Sequence, residues 1–319
     1  MRVGSVQVMT GPTTPAPGPA TLTAHTPEDV LAAIPVVLGF EPSDSVVMLT
    51  SGGAETFHAR VDLPPPEDLE EAVEQLLDPA LEHGVARVVF VLYAPDGPTV
   101  PTLARMLRRA FGRAGIRVVE VLRAHDGRWF VPGRPGVPTV GVPYDVSDHR
   151  FRAQAVVEGV VVHRSRADLE AMLRPCPDEV EAVARALRRA VPSPPEEIAD
   201  LVDIRLPSGR FTTVELARVL LGLVEPLGRD AALVAMSREA AAAHVRLWTD
   251  AVQRAPDDVV AAPAAVLGLA AWLAGHGALA WCAVDRCRAV DPDNTLAGLV
   301  ADALSRAVPP SAWTRAQAG

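Results

Sequence analysis

The sequence predicts an α/β chain in two parts: a small sandwich domain with a mixed sheet, then an all-helical domain. Three observations carry this expectation. The stretch Arg87–Tyr93 (RVVFVLY) is almost wholly apolar, as a strand covered on both faces must be. A helical stripe and a second apolar run, Ile116–Leu122, follow it at the spacing of a strand–helix–strand unit. Beyond residue 144 the strand-like pattern gives way to helical periodicity.

Taken in order, residues 1–26 form a tail, and its Pro/Thr-rich stretch TGPTTPAPGPA (residues 10–20) is expected to be disordered. The α/β domain is predicted over residues 27–131. Thr26 suits an N-cap and Pro27 the first helical position, while Pro35 and Gly39 keep the helix short or kinked. Val46–Leu49 is a short apolar strand, turned back by Ser51-Gly52-Gly53-Ala54. Phe57, Ala59, Val61 and Leu63 then alternate with His58, Arg60 and Asp62, so 46–63 reads as a half-exposed hairpin. Leu69, Ala72, Val73, Leu76 and Leu77 recur at helical spacing. Leu103, Met106, Leu107, Ala110 and Phe111 form the next helical stripe, which Gly115 ends as a left-handed cap. The crossover between the two apolar runs is expected to be right-handed. Asp126-Gly127 turns the chain into Arg128–Val131, an antiparallel edge strand.

Residues 132–143 (PGRPGVPTVGVP) are predicted to be a Pro/Gly-rich connector, and 144–319 a helical domain. Helices are expected from Ser147 to Val157, after a Ser165/Asp168 capping box, and over 177–190, 195–203, 212–225 and 229–254. Leu267, Gly268, Ala280 and Pro292 then fall at spacings like those of a tetratricopeptide helical hairpin, with 295–306 as its closing helix. The large aromatic residue expected near the start of such a repeat is missing. An ordinary helical bundle is the alternative reading.

Composition narrows the chemistry. The chain has 319 residues, a formal net charge of -9 and 49% hydrophobic residues. That is a packed, self-repelling protein whose main partner is not nucleic acid. All 30 basic residues are arginine. Without lysine there is no Schiff-base chemistry, no phosphate-binding loop ending in GK[ST] and no kinase strand lysine. Cys176, Cys282 and Cys287 match neither a disulfide framework nor zinc spacing, and are expected to be reduced and buried. No signal peptide and no 18-residue apolar run is recognised, so a cytoplasmic protein without membrane contact is expected. No cofactor is expected either.

Several blocks together resemble a known family. They are Leu31–Pro35, Leu38–Val47 (LGFEPSDSVV), Ala59–Pro64 (ARVDLP) and Asp126–Trp129 (DGRW). In the C-terminal part they are Leu247-Trp248, Ala255-Pro256, Ala271–Leu273, Gly275, Gly277–Ala280 and Asp291-Pro292. In these the chain resembles the actinobacterial family of unknown function 4192 (DUF 4192), over everything after the tail. The resemblance implies kinship and fold but no activity. Members often carry a Cys/Pro-rich segment after the Gly-Arg-Trp motif. Here Pro132–Pro143 has no cysteine, so no metal or redox role is carried over to it.

Three places offer candidate binding residues. Asp44 and Ser45 sit at a turn entering a strand, where they either bind a polar ligand or close an Asx turn. Arg60 and Asp62 share a strand face with His58, either anchoring an anion or forming a solvated or cross-strand pair. Arg123, Asp126, Arg128 and Trp129, with His125, cluster after a parallel strand, where an arginine beside a tryptophan suits a phosphate or carboxylate and a stacked ring. The bland reading there is a tryptophan packed over the sheet edge. His244 and His276 read as structural, and Trp248, Trp272 and Trp281 as core or groove residues.

A non-enzymatic binding or scaffold protein, with a protein partner or a small anionic ligand, is therefore the first expectation. A hydrolase or nucleotide-processing enzyme acting near Arg123–Trp129 is the alternative. A hairpin edge serving as an oligomer interface is a third reading.

Overall fold

In a computed structural model, residues 6–9, 21–53, 56–133, 139–157 and 160–313 are described. The chain is mixed α/β and divides into two compact units: Met1–Ser165 with Ser305–Pro309, and Arg166–Leu304 with Pro310–Gly319.

The first unit opens with β1 (Val6–Met9) and β2 (Thr21–Ala24), an antiparallel pair where a disordered tail was expected. Residues 10–20, on which the disorder expectation rested most directly, lie outside the described residues. Helix α1 (Pro27–Leu38) begins as predicted. Thr26 accepts from the Asp29 amide while Asp29 accepts from the Thr26 amide, a reciprocal capping box. Pro35 sits inside the helix, and Gly39 closes it at φ 79°, a left-handed geometry that glycine adopts without a Cβ clash.

A six-stranded sheet follows: β3 (Ser45–Ser51), β4 (His58–Asp62), β5 (Arg87–Tyr93), β6 (Arg117–His125), β7 (Arg128–Phe130) and β8 (Val142–Pro143), in the order β4-β3-β5-β6-β7-β8. Only β5 and β6 run parallel, joined through α3 (Thr99–Arg113), and the other neighbours are antiparallel. All of β3 is buried, because the sheet is covered on both sides. Val46, Met48, Phe90, Leu92 and Val121 pack on the side of α2 (Leu69–Glu82) and α3. Val47, Leu49, Val91, Leu122 and Trp129 pack on the side of α1 and α4 (Arg150–Val157).

Two sequence expectations shift here. β7 is not the edge strand, since Val142 and Pro143 add β8 beside it. Val142 and Pro143, expected at the end of the connector, thus belong to the sheet, and residues 134–138 of that connector lie outside the described residues. Phe151 and Ala155 are buried in the first unit's core, and Tyr144 and Val146 pack against it.

The second unit is helical: α5 (Arg166–Ala171), α6 (Pro177–Leu187), α7 (Pro195–Arg205), α8 (Thr213–Gly222), α9 (Pro226–Leu233), α10 (Ala241–Arg254), α11 (Ala261–Leu273), α12 (Gly277–Arg288) and α13 (Thr295–Ser305). Proline occupies the first helical position of α6, α7 and α9, where its missing N–H costs nothing. The single helix expected over 229–254 is two helices, broken where the Ser237 hydroxyl accepts from the Ala240 amide and competes with the helical ladder. α11 is buried nearly all round and pairs with α12 across a turn at Gly275. At Gly228 the packing is close enough that a Cβ would stand 2.0 Å from the Gly222 carbonyl oxygen.

Candidate functional site

Strand register brings the predicted residues to one end of the sheet. Ser45 at the start of β3 lies opposite Asp62 at the end of β4 and Tyr93 at the end of β5, and Tyr93 in turn lies opposite Ala124. This is the carboxyl end of the parallel pair, where α/β sheets receive ligands. Strand alternation then divides the candidates between two faces.

On the α1/α4 face stand Ser45, His58, Arg60, Asp62 and Tyr93. This is not the solvated face the alternation suggested. The Arg60 side chain is 14% exposed and pairs through Nη1 with Asp62 Oδ1 at 2.6 Å, within its own strand rather than across strands. Its guanidinium carbon lies 5.9 Å from the Phe40 ring centroid. Arg60 Nε, Ser45 Oγ and both ring nitrogens of His58 are buried without a hydrogen-bond partner. Burial holds the His58 imidazole down to about 4 from its ordinary 6.5, so the ring is neutral near pH 7. Burial also raises the hydroxyl pKa values of Tyr93 and Tyr144, with the neighbouring Tyr144 adding to the effect on Tyr93. The segment after α1 runs past this cluster. Glu41 donates its amide to the His163 carbonyl at 2.9 Å and pairs its carboxylate with Arg152, whose Nε is also buried and unpartnered. Asp44 adds no buried polar group: its side chain is exposed, its φ is 41°, and its carbonyl accepts from Leu63 at 2.8 Å.

The α2/α3 face holds Arg123. Its guanidinium stacks 3.6 Å from the Phe130 ring centroid and reaches Asp96 at 3.8 Å. Arg128 turns back on its own loop, donating to the carbonyls of Val140 and Gly141 at 3.1 and 3.0 Å. Asp126, in the turn at φ 46°, stands 3.3 Å from His125 Nε2. Trp129 is not with them. It faces the opposite side, buried, and donates its indole N–H to Glu28 at 2.9 Å. The expected arginine–tryptophan stack is therefore an arginine–phenylalanine stack. Alternation along Arg128-Trp129-Phe130 held that signal, and the cluster reading overlooked it.

The start of α1 ties these pieces together. Asp29 accepts from the His25 and Thr26 amides at 2.7 and 3.1 Å and lies 3.1 Å from His149 Nε2. Burial opposes its ionisation, but those bonds and the charge of Arg150 outweigh it, so its carboxyl titrates below the ordinary range. His149 Nδ1 accepts from the Phe151 amide, so neither ring nitrogen is left to serve a nucleophile.

In the helical unit, α9, α11, α13 and Trp313 enclose a groove of about 430 Å³. Leu233, Leu269, Trp272, Leu296 and Leu299 form its walls, and Arg229 and Asp230 are its charged residues. His244 and His276 are held below the ordinary imidazole pKa, chiefly by burial. The thiols of Cys282 and Cys287 are pushed up to about 11 by burial, whereas Cys176 is exposed rather than buried as expected. Among the described residues, no group of three or more His, Cys, Asp or Glu is placed to hold a metal ion, and no helix is long and apolar enough to cross a membrane.

A mixed α/β unit with polar groups gathered at one sheet end, carried in one chain with a helical unit, defines the class of protein. The chain belongs to the family described as "Domain of unknown function (DUF4192)", whose model matches residues 27–311. No match was found among curated proteins or among solved structures.

Proposed function

We propose that this is a non-enzymatic, cytoplasmic binding or scaffold protein. Its α/β unit holds a small anionic ligand or docks a partner, and its helical unit, read as a degenerate tetratricopeptide-like array, receives a protein. One observation carries the protein-binding half: the groove walled by Leu269, Trp272, Leu296 and Leu299 is apolar and open, and Leu299 is 69% exposed at its rim. Concave apolar surfaces of this kind favour association over solvation.

The test is capture of partners from the native host by the full chain and by Leu299→Asp, read by mass spectrometry. Because Leu299 is exposed, the variant is expected to fold and to lose the captured protein. Equal capture by both chains, or by neither, counts against the groove. The enzymatic alternative near Arg123–Trp129 has less support. Its residues part to opposite faces of the sheet, and Trp129 and Arg128 are engaged in structural bonds.

A further inference from the structure

The buried polar groups at the start of β3 and the end of β4 point to a specific kind of ligand. Arg60 offers two edges for recognition. One edge is occupied, since Nη1 meets Asp62 at 2.6 Å. The other edge, Nε with Nη2, is the side-on fork that arginine presents to planar oxyanions. On that edge Nε is buried with no partner, and Nη2 makes no hydrogen bond among the described residues. Ser45 Oγ is fully buried and likewise unpartnered, on the same sheet face and two residues along β3 from Val47, the register partner of Arg60. Buried donors without acceptors each cost about 1–3 kcal/mol, and native proteins rarely leave several together.

We propose that Ser45 and Arg60 form a binding site for a small oxyanion, a carboxylate or phosphate group, held by the Arg60 Nε/Nη2 edge and the Ser45 hydroxyl. The assignment rests on the reading of a ligand site on the α/β unit and names its ligand chemistry. The Phe40 ring lies 5.9 Å from the guanidinium carbon, within cation–π range, and Asp62 pairs with the far edge. His58 continues the face one step further along β4 and supplies a neutral ring with one donor. Asp62 is 79% exposed and free to yield, so an incoming anion meets a cation that is only partly neutralised.

Isothermal titration calorimetry of the full chain with sodium acetate and with sodium phosphate, against sodium chloride at matched ionic strength, tests this. Saturable binding of at least one oxyanion is expected. Binding by acetate alone identifies a carboxylate ligand, and by phosphate alone a phosphate ligand. Arg60→Lys keeps the charge but loses the fork and should weaken binding at least tenfold. Ser45→Ala should weaken it severalfold, and it serves alone if Arg60→Lys does not fold. The proposal is overturned if neither oxyanion gives saturable heat beyond chloride, or if every folded variant binds as the parent does. A negative result here with Leu299-dependent partner capture intact removes the oxyanion assignment and leaves the protein-binding reading standing.

Discussion

Each unit of the molecule draws an arginine away from solvent, Arg254 completely and Arg60 for the most part, and the two are treated differently. In the helical unit Arg254 is 2% exposed and meets acceptors through both terminal nitrogens, while its Nε makes an ion-pair contact but no hydrogen bond. Nη1 donates to Asp250 at 2.7 Å and to the Phe211 carbonyl at 2.8 Å, Nη2 reaches Thr213 at 3.3 Å, and Nε lies 3.2 Å from Glu179. In the sheet unit Arg60 has one carboxylate on one edge and nothing on the other. A buried cation enclosed by acceptors is part of the scaffold, since removing it strands its partners. A mostly covered cation with a vacant edge and a solvated partner adds little to folding and keeps its hydrogen-bonding capacity for something else.

The sharpest way to break this comparison is to remove each charge at nearly constant volume. Arg254→Met should cost about 3–5 kcal/mol, because a buried ionic network is broken: Asp250 and Glu179 are left with Arg210 alone, and the Phe211 carbonyl loses its donor. Arg60→Met should cost less than about 1 kcal/mol, because its partner is solvated. Urea denaturation of both variants reads the difference, and similar losses would erase the distinction.

A second test uses acid. In the folded chain His58 titrates near 4, against 6.5 when exposed. Between those values the unfolded chain binds the proton and the folded chain refuses it. The stabilising effect of the neutral ring is therefore complete above pH 6.5 and is lost as pH falls toward 4. The amount is on the order of 3 kcal/mol. His58→Gln should flatten the acid limb of a stability–pH profile. Some slope will remain, because His244 and His276 are shifted in the same direction.

The third and smallest effect concerns packing within the helical unit. Gly228→Ala drives a methyl into the Gly222 carbonyl and should cost about 1–3 kcal/mol. At Gly268 the nearest atom to an added Cβ is Val284 Cγ2 at 3.5 Å, ordinary contact, so Gly268→Ala should be neutral or stabilising by up to about 1 kcal/mol. Thermal melts of the two variants separate a glycine demanded by packing from one that is merely present.

Much of the sheet was legible in the sequence because its signals are local. The apolar run of β5, the stripe of α3 and the Thr26 cap each announce themselves within a few residues, and each forms as expected. What was hidden depends on distant partners. Nothing near Arg128 says that Val142 and Pro143 will return to cover β7. Nothing in the alternation of β4 says whether its polar face meets water or protein, and that decides whether Arg60 is a surface charge or a buried donor. The split between Arg123 and Trp129 was readable from period-two alternation alone.

The first turn of α1 also sets a rule for dissecting the protein. Asp29 divides one carboxylate among its own helix start, His149 and Arg150, and Glu28 beside it holds Trp129. A shortened chain that stops at residue 131 would strip two of those claims from Asp29 and remove Phe151 from beneath the sheet. Any excised version meant to carry the α/β layer has to run on through α4, however complete a shorter piece looks on paper.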